Sequence, residues 1–247
     1  MRRREVKLRL EGIKAHVLYH KFRNFDVNTL LVAFKDKRRI LSTMEGYKEV
    51  HYVANSYQPS ELSSSIMENY EAFEEEFPSV LGVSLDDISF LSTGANMENL
   101  AVCEKTFRNR IVSCLATGGV GNALRAGVDK ANWMQQNGDY VNISGTINVI
   151  LLTNVTLTDG GMARAIITAT EAKTAALQDM NARSSASPDK QATGTGTDNI
   201  IIISGINPDC HVRYTGGHVK IGELIAASTK TAVAEAIKKH EHSIANP

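Results

Sequence analysis

Cysteine is scarce in the 247-residue sequence: Cys103, Cys114 and Cys210 are an odd set, with neither a CxxC spacing nor a Cys/His pair at finger spacing. A disulfide framework is therefore not expected, and the thiols read as reduced, in a cytoplasmic setting. Net charge is also lacking, because Lys+Arg and Asp+Glu each number 27. No global field favours nucleic acid or an anionic membrane, and neither is expected as a partner. Long apolar runs are missing too: 147–152 and 200–203 fall far short of the roughly 20 residues that cross a bilayer. The basic start Arg2-Arg3-Arg4 leads into alternating charged and apolar residues rather than an h-region, so no signal peptide is expected. The sequons at Asn142 and Asn154 then read as chance matches.

The familiar phosphate and hydrolase signatures are absent as well. Gly194-Thr195-Gly196 lacks the later glycine of GxGxxG and opens a strand rather than a helix, and Gly119-Val120-Gly121 has Leu124 where that glycine would stand. GxxxxGK[ST], GxSxG and HExxH do not occur, which disfavours a nucleoside-triphosphate enzyme, a nucleophile elbow and a zincin site. No cofactor is called for.

What is present is the balance of a globular chain, 43% hydrophobic and 22% charged. One domain over residues 1–247 is expected. Residues 1–39 hold twelve Lys/Arg against four Asp/Glu, whereas 61–87 hold eight Asp/Glu and no Lys/Arg. These are read as solvated faces of opposite sign that could meet. Strands are expected at 29–34 and 40–43, as a hairpin across the charged 35–39, and at 87–91, 100–103, 111–116, 146–152 and 200–203. Continuous burial of 146–152 is implied by its lack of alternation. Helices are expected over 63–77, from Thr158 to about Leu177 with Asp159 in its first turn, and from about His218 to His240. The fold class is α/β: a mixed sheet packed by amphipathic helices, strand order unresolved. Trp133 is read as core packing before ligand stacking.

Polar, glycine-rich turns stand at the predicted strand ends. Thr193-Gly194-Thr195-Gly196-Thr197-Asp198 alternates hydroxyls with glycines and sets a carboxylate at the edge of a strand, which suits close approach to a ligand as well as a tight capped turn. Tyr214-Thr215-Gly216-Gly217-His218-Val219-Lys220-Ile221-Gly222-Glu223 brings His, Lys and Glu together. Thr93-Gly94-Ala95-Asn96 and Ala116-Thr117-Gly118-Gly119-Val120-Gly121-Asn122 follow strands and are placed along a cleft. Asn96, Asn122 and Asn154 are candidates for its rim, as amide partners for an amide-rich ligand.

Taken in order, these strings resemble the adenosylcobinamide amidohydrolase family over most of the chain. The likeness rests on Arg39-Ile40-Leu41-Ser42-Thr43, on Thr93 to Met97, and on Ala116 to Gly127. It continues through Gly145 to Asn154, Ala169 to Leu177, Ala192 to Asp198, and Tyr214 to His218 with Lys220, Gly222 and Glu223. The resemblance implies hydrolysis of the amide between aminopropanol and a propionate arm of a corrin, with a small-molecule corrinoid as partner. An assembly of identical copies is left open.

Amide hydrolysis needs a nucleophile, an oxyanion stabiliser and a proton for the leaving amine. Asp198 or His218 is expected to activate the nucleophile, backbone N–H groups around Gly194, Thr195, Gly196 and Thr197 to receive the oxyanion, and His218 or Lys220 to protonate the amine. A covalent role for a hydroxyl of Thr193, Thr195 or Thr197 is the alternative. A metal held by Asp198, His211, His218 and Glu223 is weighed and not adopted, for want of ligand spacing. The scheme requires the Asp198 and His218 turns to meet at the end of one buried strand.

Overall fold

In the computed structural model of the chain, residues 2–131 and 145–246 are described, and nothing follows here for Trp133 or Asn142, which lie outside them. Four strands open the fold: β1 (Arg2–Val6), β2 (Ile13–Phe22), β3 (Phe25–Ser42) and β4 (Gly46–Tyr57). Helices α1 (Ser60–Glu68) and α2 (Tyr70–Val80) lead to β5 (Ile88–Thr93), β6 (Ala101–Phe107), β7 (Arg110–Gly118) and the short β8 (Ala123–Leu124). Then come β9 (Ile147–Thr153), short β10 (Thr156–Leu157), α3 (Asp159–Asp179), short β11 (Gly194–Thr195), β12 (Asn199–Ile203), short β13 (His211–Val212) and α4 (Lys220–Ala245). The fold is mixed α/β.

Nine strands form one curled sheet in the order β1-β2-β3-β12-β9-β7-β6, with β4 on the other side of β3 and β5 beyond it. Parallel β9 and β12 are joined through α3. The curl originates in β3. The expected turn at 35–39 is not a turn: β3 runs through it for 18 residues, and its register against β4 slips between Ala33 and Arg38. Such an irregularity bends the strand without ending it, and the Lys35 N–H finds the Gly12 carbonyl instead of a ladder partner. The hairpin closes later, where Ser42 pairs with Gly46 at φ +75°.

Bent at β3, the sheet folds into two facing leaves. Leu115, Ile150, Leu152, Ile201 and Ile203 of one leaf meet Val17, Leu30, Val32, Val53 and Leu91 of the other. The alternate residues of the first leaf, including Cys114, Val149, Leu151, Ile200 and Ile202, pack under α3 and α4. Those of the second, with Phe22, Ile88 and Phe90, pack on Phe73 and Phe77 of α2. The layers thus run helix, leaf, leaf, helix, each strand alternating between two apolar spaces.

The expected single helix over 63–77 is two helices. Asn69 at φ −151° breaks the first and caps the second by accepting the Ala72 N–H. The Thr158 cap is as expected, its hydroxyl accepting the Gly161 N–H. The basic and acidic segments touch through Arg23–Glu76 and Lys37–Asp87.

Candidate functional site

Both β9 and β12 begin at the same end of the sheet, called here the entry end, and finish at the exit end. This direction decides which expected residues can act together. Asp198 immediately precedes β12, whereas Gly216 to Val219 follow the long connection from its far end.

At the entry end, the Asp198 carboxylate is fully engaged. Oδ1 accepts the Ile147 N–H at 3.0 Å and the Thr195 hydroxyl at 2.5 Å. Oδ2 accepts the Thr195 N–H at 3.0 Å and the ammonium of Lys173. Lys173 arrives from α3 in phase with Ala169, Ala172 and Ala176, on the buried stripe. Gly194 makes this closeness possible: a Cβ there would collide with both Asp198 Oδ2 and Lys173 Nζ. β11 pairs with β8, and the Thr174 hydroxyl donates to the Thr193 carbonyl at 3.0 Å, so the turn is braced from two sides. Gly196 and Thr197 remain exposed, and the Thr197 hydroxyl donates to the Gly145 carbonyl.

Just inside, on the opposite face of the same leaf, a ladder of amides crosses between the leaves. Asn148 Nδ2 donates to Asn55 Oδ1 at 2.9 Å and to the Ser92 carbonyl at 2.8 Å, and Asn55 Nδ2 donates to Thr117 Oγ1 at 2.9 Å. Asn148 Oδ1 is buried with no partner among the described residues. Because a carbonyl can only accept, the Ser92 bond fixes which end of the Asn148 amide is nitrogen. Beside the ladder, Asn28 Nδ2 donates to Asn96 Oδ1 at 3.1 Å.

The remaining entry-end candidates pack locally. Asn122 lies against Gly145, which adopts φ +116°, and Gly119 faces His240, whose Nε2 would stand 2.8 Å from a Cβ at that position. Burial lowers the pKa of His240 and also that of His20.

At the exit end stand the other expected residues, and here the structure corrects the sequence reading. Thr215 donates to the Gly161 carbonyl at the first turn of α3, and His218 lies exposed beside Gly216 and Arg164. Lys173 is twelve residues further along α3, about 18 Å at 1.5 Å per residue. The expected meeting of Asp198 and His218 does not occur, because β12 carries the chain from one end of the sheet to the other between them. Lys220 and Glu223 form an exposed pair at the start of α4, with Lys220 over the Phe107 ring. Asn154 holds the β6–β7 turn, accepting the Ile111 N–H and donating to the Asn109 carbonyl. It is not on a rim shared with Asn96 and Asn122.

Open cavities among the described residues include two near the sheet ends. One of about 670 Å³ is lined by Arg2, Tyr19, His20, Asn28, Tyr57 and Asn96. The other, of about 630 Å³, lies at the exit end beside Arg39, Asp159 and His211. His211 lies apart from Asp198, and no group of three or more His, Cys, Asp or Glu side chains converges among the described residues. Among the described residues no helix is long and apolar enough to cross a membrane.

Sequence reasoning missed Lys173, Asn55 and Asn148. The signals were a charge inside an alanine stripe and an amide inside a strand with every residue buried.

Among solved structures, the chain is similar to a protein from Pyrococcus horikoshii (13% identity, TM-score 0.45, 94% of this chain and 84% of that one). It is similar also to the L-aminopeptidase D-Ala-esterase/amidase of Ochrobactrum anthropi (10%, 0.44, 92% and 84%). Likenesses this distant carry no inference about activity. An uncharacterized protein of Methanocaldococcus jannaschii is 44% identical over 227 residues, covering 87% of this chain and 88% of that one. The CbiZ family profile, adenosylcobinamide amidohydrolase, matches residues 15–245, and the chain belongs to that family.

Proposed function

We propose that the protein hydrolyses the amide joining aminopropanol to the corrin propionate arm of adenosylcobinamide, releasing aminopropanol and adenosylcobyric acid. The reaction centre of this proposal is Thr195, Asp198 and Lys173, with backbone N–H groups of the 194–197 turn receiving the oxyanion. The observation that carries it is the 2.5 Å bond from the Thr195 hydroxyl to a carboxylate whose other oxygen is held by a buried ammonium. A nucleophile within reach of a base that a third group orients is the arrangement acyl transfer requires.

In the proposed cycle, Thr195 Oγ attacks the amide carbon as Asp198 Oδ1 takes its proton. The C–N bond breaks, that proton leaves on the amine nitrogen, and aminopropanol departs. Water then adds to the Thr195 ester, giving up a proton through Asp198, and the restored hydroxyl leaves adenosylcobyric acid. Lys173 keeps the carboxylate oriented throughout and stays a positioning residue. His218, Lys220 and Glu223 have no part in this centre. The test is incubation of the purified protein with adenosylcobinamide and quantitation of aminopropanol. Corrinoid binding without release would favour a carrier, and release only from complete pseudocobamides would move the substrate while keeping the chemistry.

A further inference from the structure

The 670 Å³ cleft presents hydrogen-bonding groups whose orientation the fold has already fixed. Asn96 Oδ1 is tied by two donors, Asn28 Nδ2 at 3.1 Å and the Glu98 N–H at 2.9 Å. Asn28 in turn is held by the Met97 N–H at its own oxygen. A backbone N–H can only donate, so the oxygen end of Asn96 is settled and its NH2 is the end left over. That NH2 has no partner among the described residues, although Asn96 is half-buried and lines the cleft. The hydroxyl of Tyr57, the last residue of β4 and also in the cleft lining, is likewise without a partner among the described residues. Tyr57 lies two residues beyond Asn55 on the same face of β4, about 7 Å along the strand. Asn55 meets Asn148, and the next N–H, that of Ile147, touches Asp198. The cleft and the proposed reaction centre thus lie toward the same end of the sheet, separated by the buried amides of Asn55 and Asn148. On its outer side, Arg2 stacks on the Tyr19 ring at 4.1 Å.

We infer that this cleft is the subsite for the corrin periphery, and that Asn96 and Tyr57 set specificity by hydrogen-bonding the ring's carboxamide arms. The inference rests on the proposed function for the identity of the ligand. Asn96 Nδ2 donates to an amide carbonyl, and the Tyr57 hydroxyl either donates to one or accepts an amide N–H. A flat, amide-fringed ligand fits a wide cleft walled by tyrosine and asparagine, whereas a compact peptide amide would leave these groups unmet.

The test uses Asn96→Asp, which keeps the oxygen that caps the Glu98 N–H and replaces the NH2 donor with a carboxylate oxygen, and Tyr57→Phe, which keeps the ring. Each variant is titrated by absorbance with adenosylcobinamide and with adenosylcobyric acid, which lacks aminopropanol and retains the other arms. The expected result is a Kd raised roughly tenfold for both ligands in each variant, the loss of one buried hydrogen bond. Unchanged Kd values in both variants, with wild type still binding, would overturn the subsite. Wild type that binds both corrinoids and releases no aminopropanol would overturn the hydrolysis and leave the subsite standing.

Discussion

Lys173 and Asp198, 25 residues apart in sequence, form an ion pair in which the two side chains are only 8% and 12% exposed. Among the described residues no other lysine–carboxylate pair is as buried, and this pair ties α3 to the turn that opens β12.

Breaking one partner of a buried pair leaves a charge without compensation. Lys173→Met or Asp198→Asn alone is expected to lower stability by about 3–5 kcal/mol, and the double variant by less than the sum. Urea unfolding of the three variants measures this, and additive losses would contradict the pairing.

Gly194 is required by contact, since a methyl group there would enter the space of Asp198 Oδ2 and Lys173 Nζ. Gly194→Ala is expected to cost roughly 1–3 kcal/mol of stability by overpacking and to reduce turnover more than corrinoid binding. Urea midpoint and aminopropanol release, read together, check both parts.

If Thr195 is the nucleophile, Thr195→Ala loses at least ~10³-fold in turnover, while Thr195→Ser keeps measurable activity. Rapid acid quench followed by mass spectrometry should show a corrinoid ester on the peptide containing Thr195. Release of aminopropanol by Thr195→Ala at the wild-type rate would give the attack to water.

Burial depresses the pKa of His20 and of His240 from the usual 6.5. The unfolded chain therefore binds more protons than the folded one just below that value, so stability is full above about pH 6.5 and declines as pH falls through the window beneath it. Urea midpoints across pH 5–8 test the sign. His20→Gln combined with His240→Gln should flatten the slope, and a slope unchanged by the pair would place its origin elsewhere.

Much of the sheet-and-helix layer around α3 and α4 was legible in the sequence because its signals are local. Thr158 caps, Asp159 begins a helix, and two runs of Ile, Val and Leu lie on either side of it. The amino-terminal half was legible only in part: 29–34 and most of 40–43 and 87–91 lie in strands as expected, but their connections do not follow the expected hairpin. β3 carries Lys35, Asp36 and Lys37 through its middle, and charge there reads as a turn until the bend that exposes it is seen. β2 and β4 hold too many polar residues to stand out, among them Tyr19, His20 and Tyr57, which line the cleft. For the site, the sequence marked Asp198 and its threonines through their glycines. It also joined them to His218, which is nearby in number but at the other end of a strand. Proximity along a chain says little across a strand of five residues, which moves its ends about 17 Å apart. Lys173 escaped because a single lysine in a helix reads as surface.

Aminopropanol release from adenosylcobinamide, measured side by side for Asp198→Asn and His218→Ala, tests the placement of the reaction centre most directly. The account predicts a loss of orders of magnitude for Asp198→Asn and a rate near wild type for His218→Ala. The reverse pattern, an inactive His218→Ala beside an active Asp198→Asn, would move the chemistry to the exit end and contradict it.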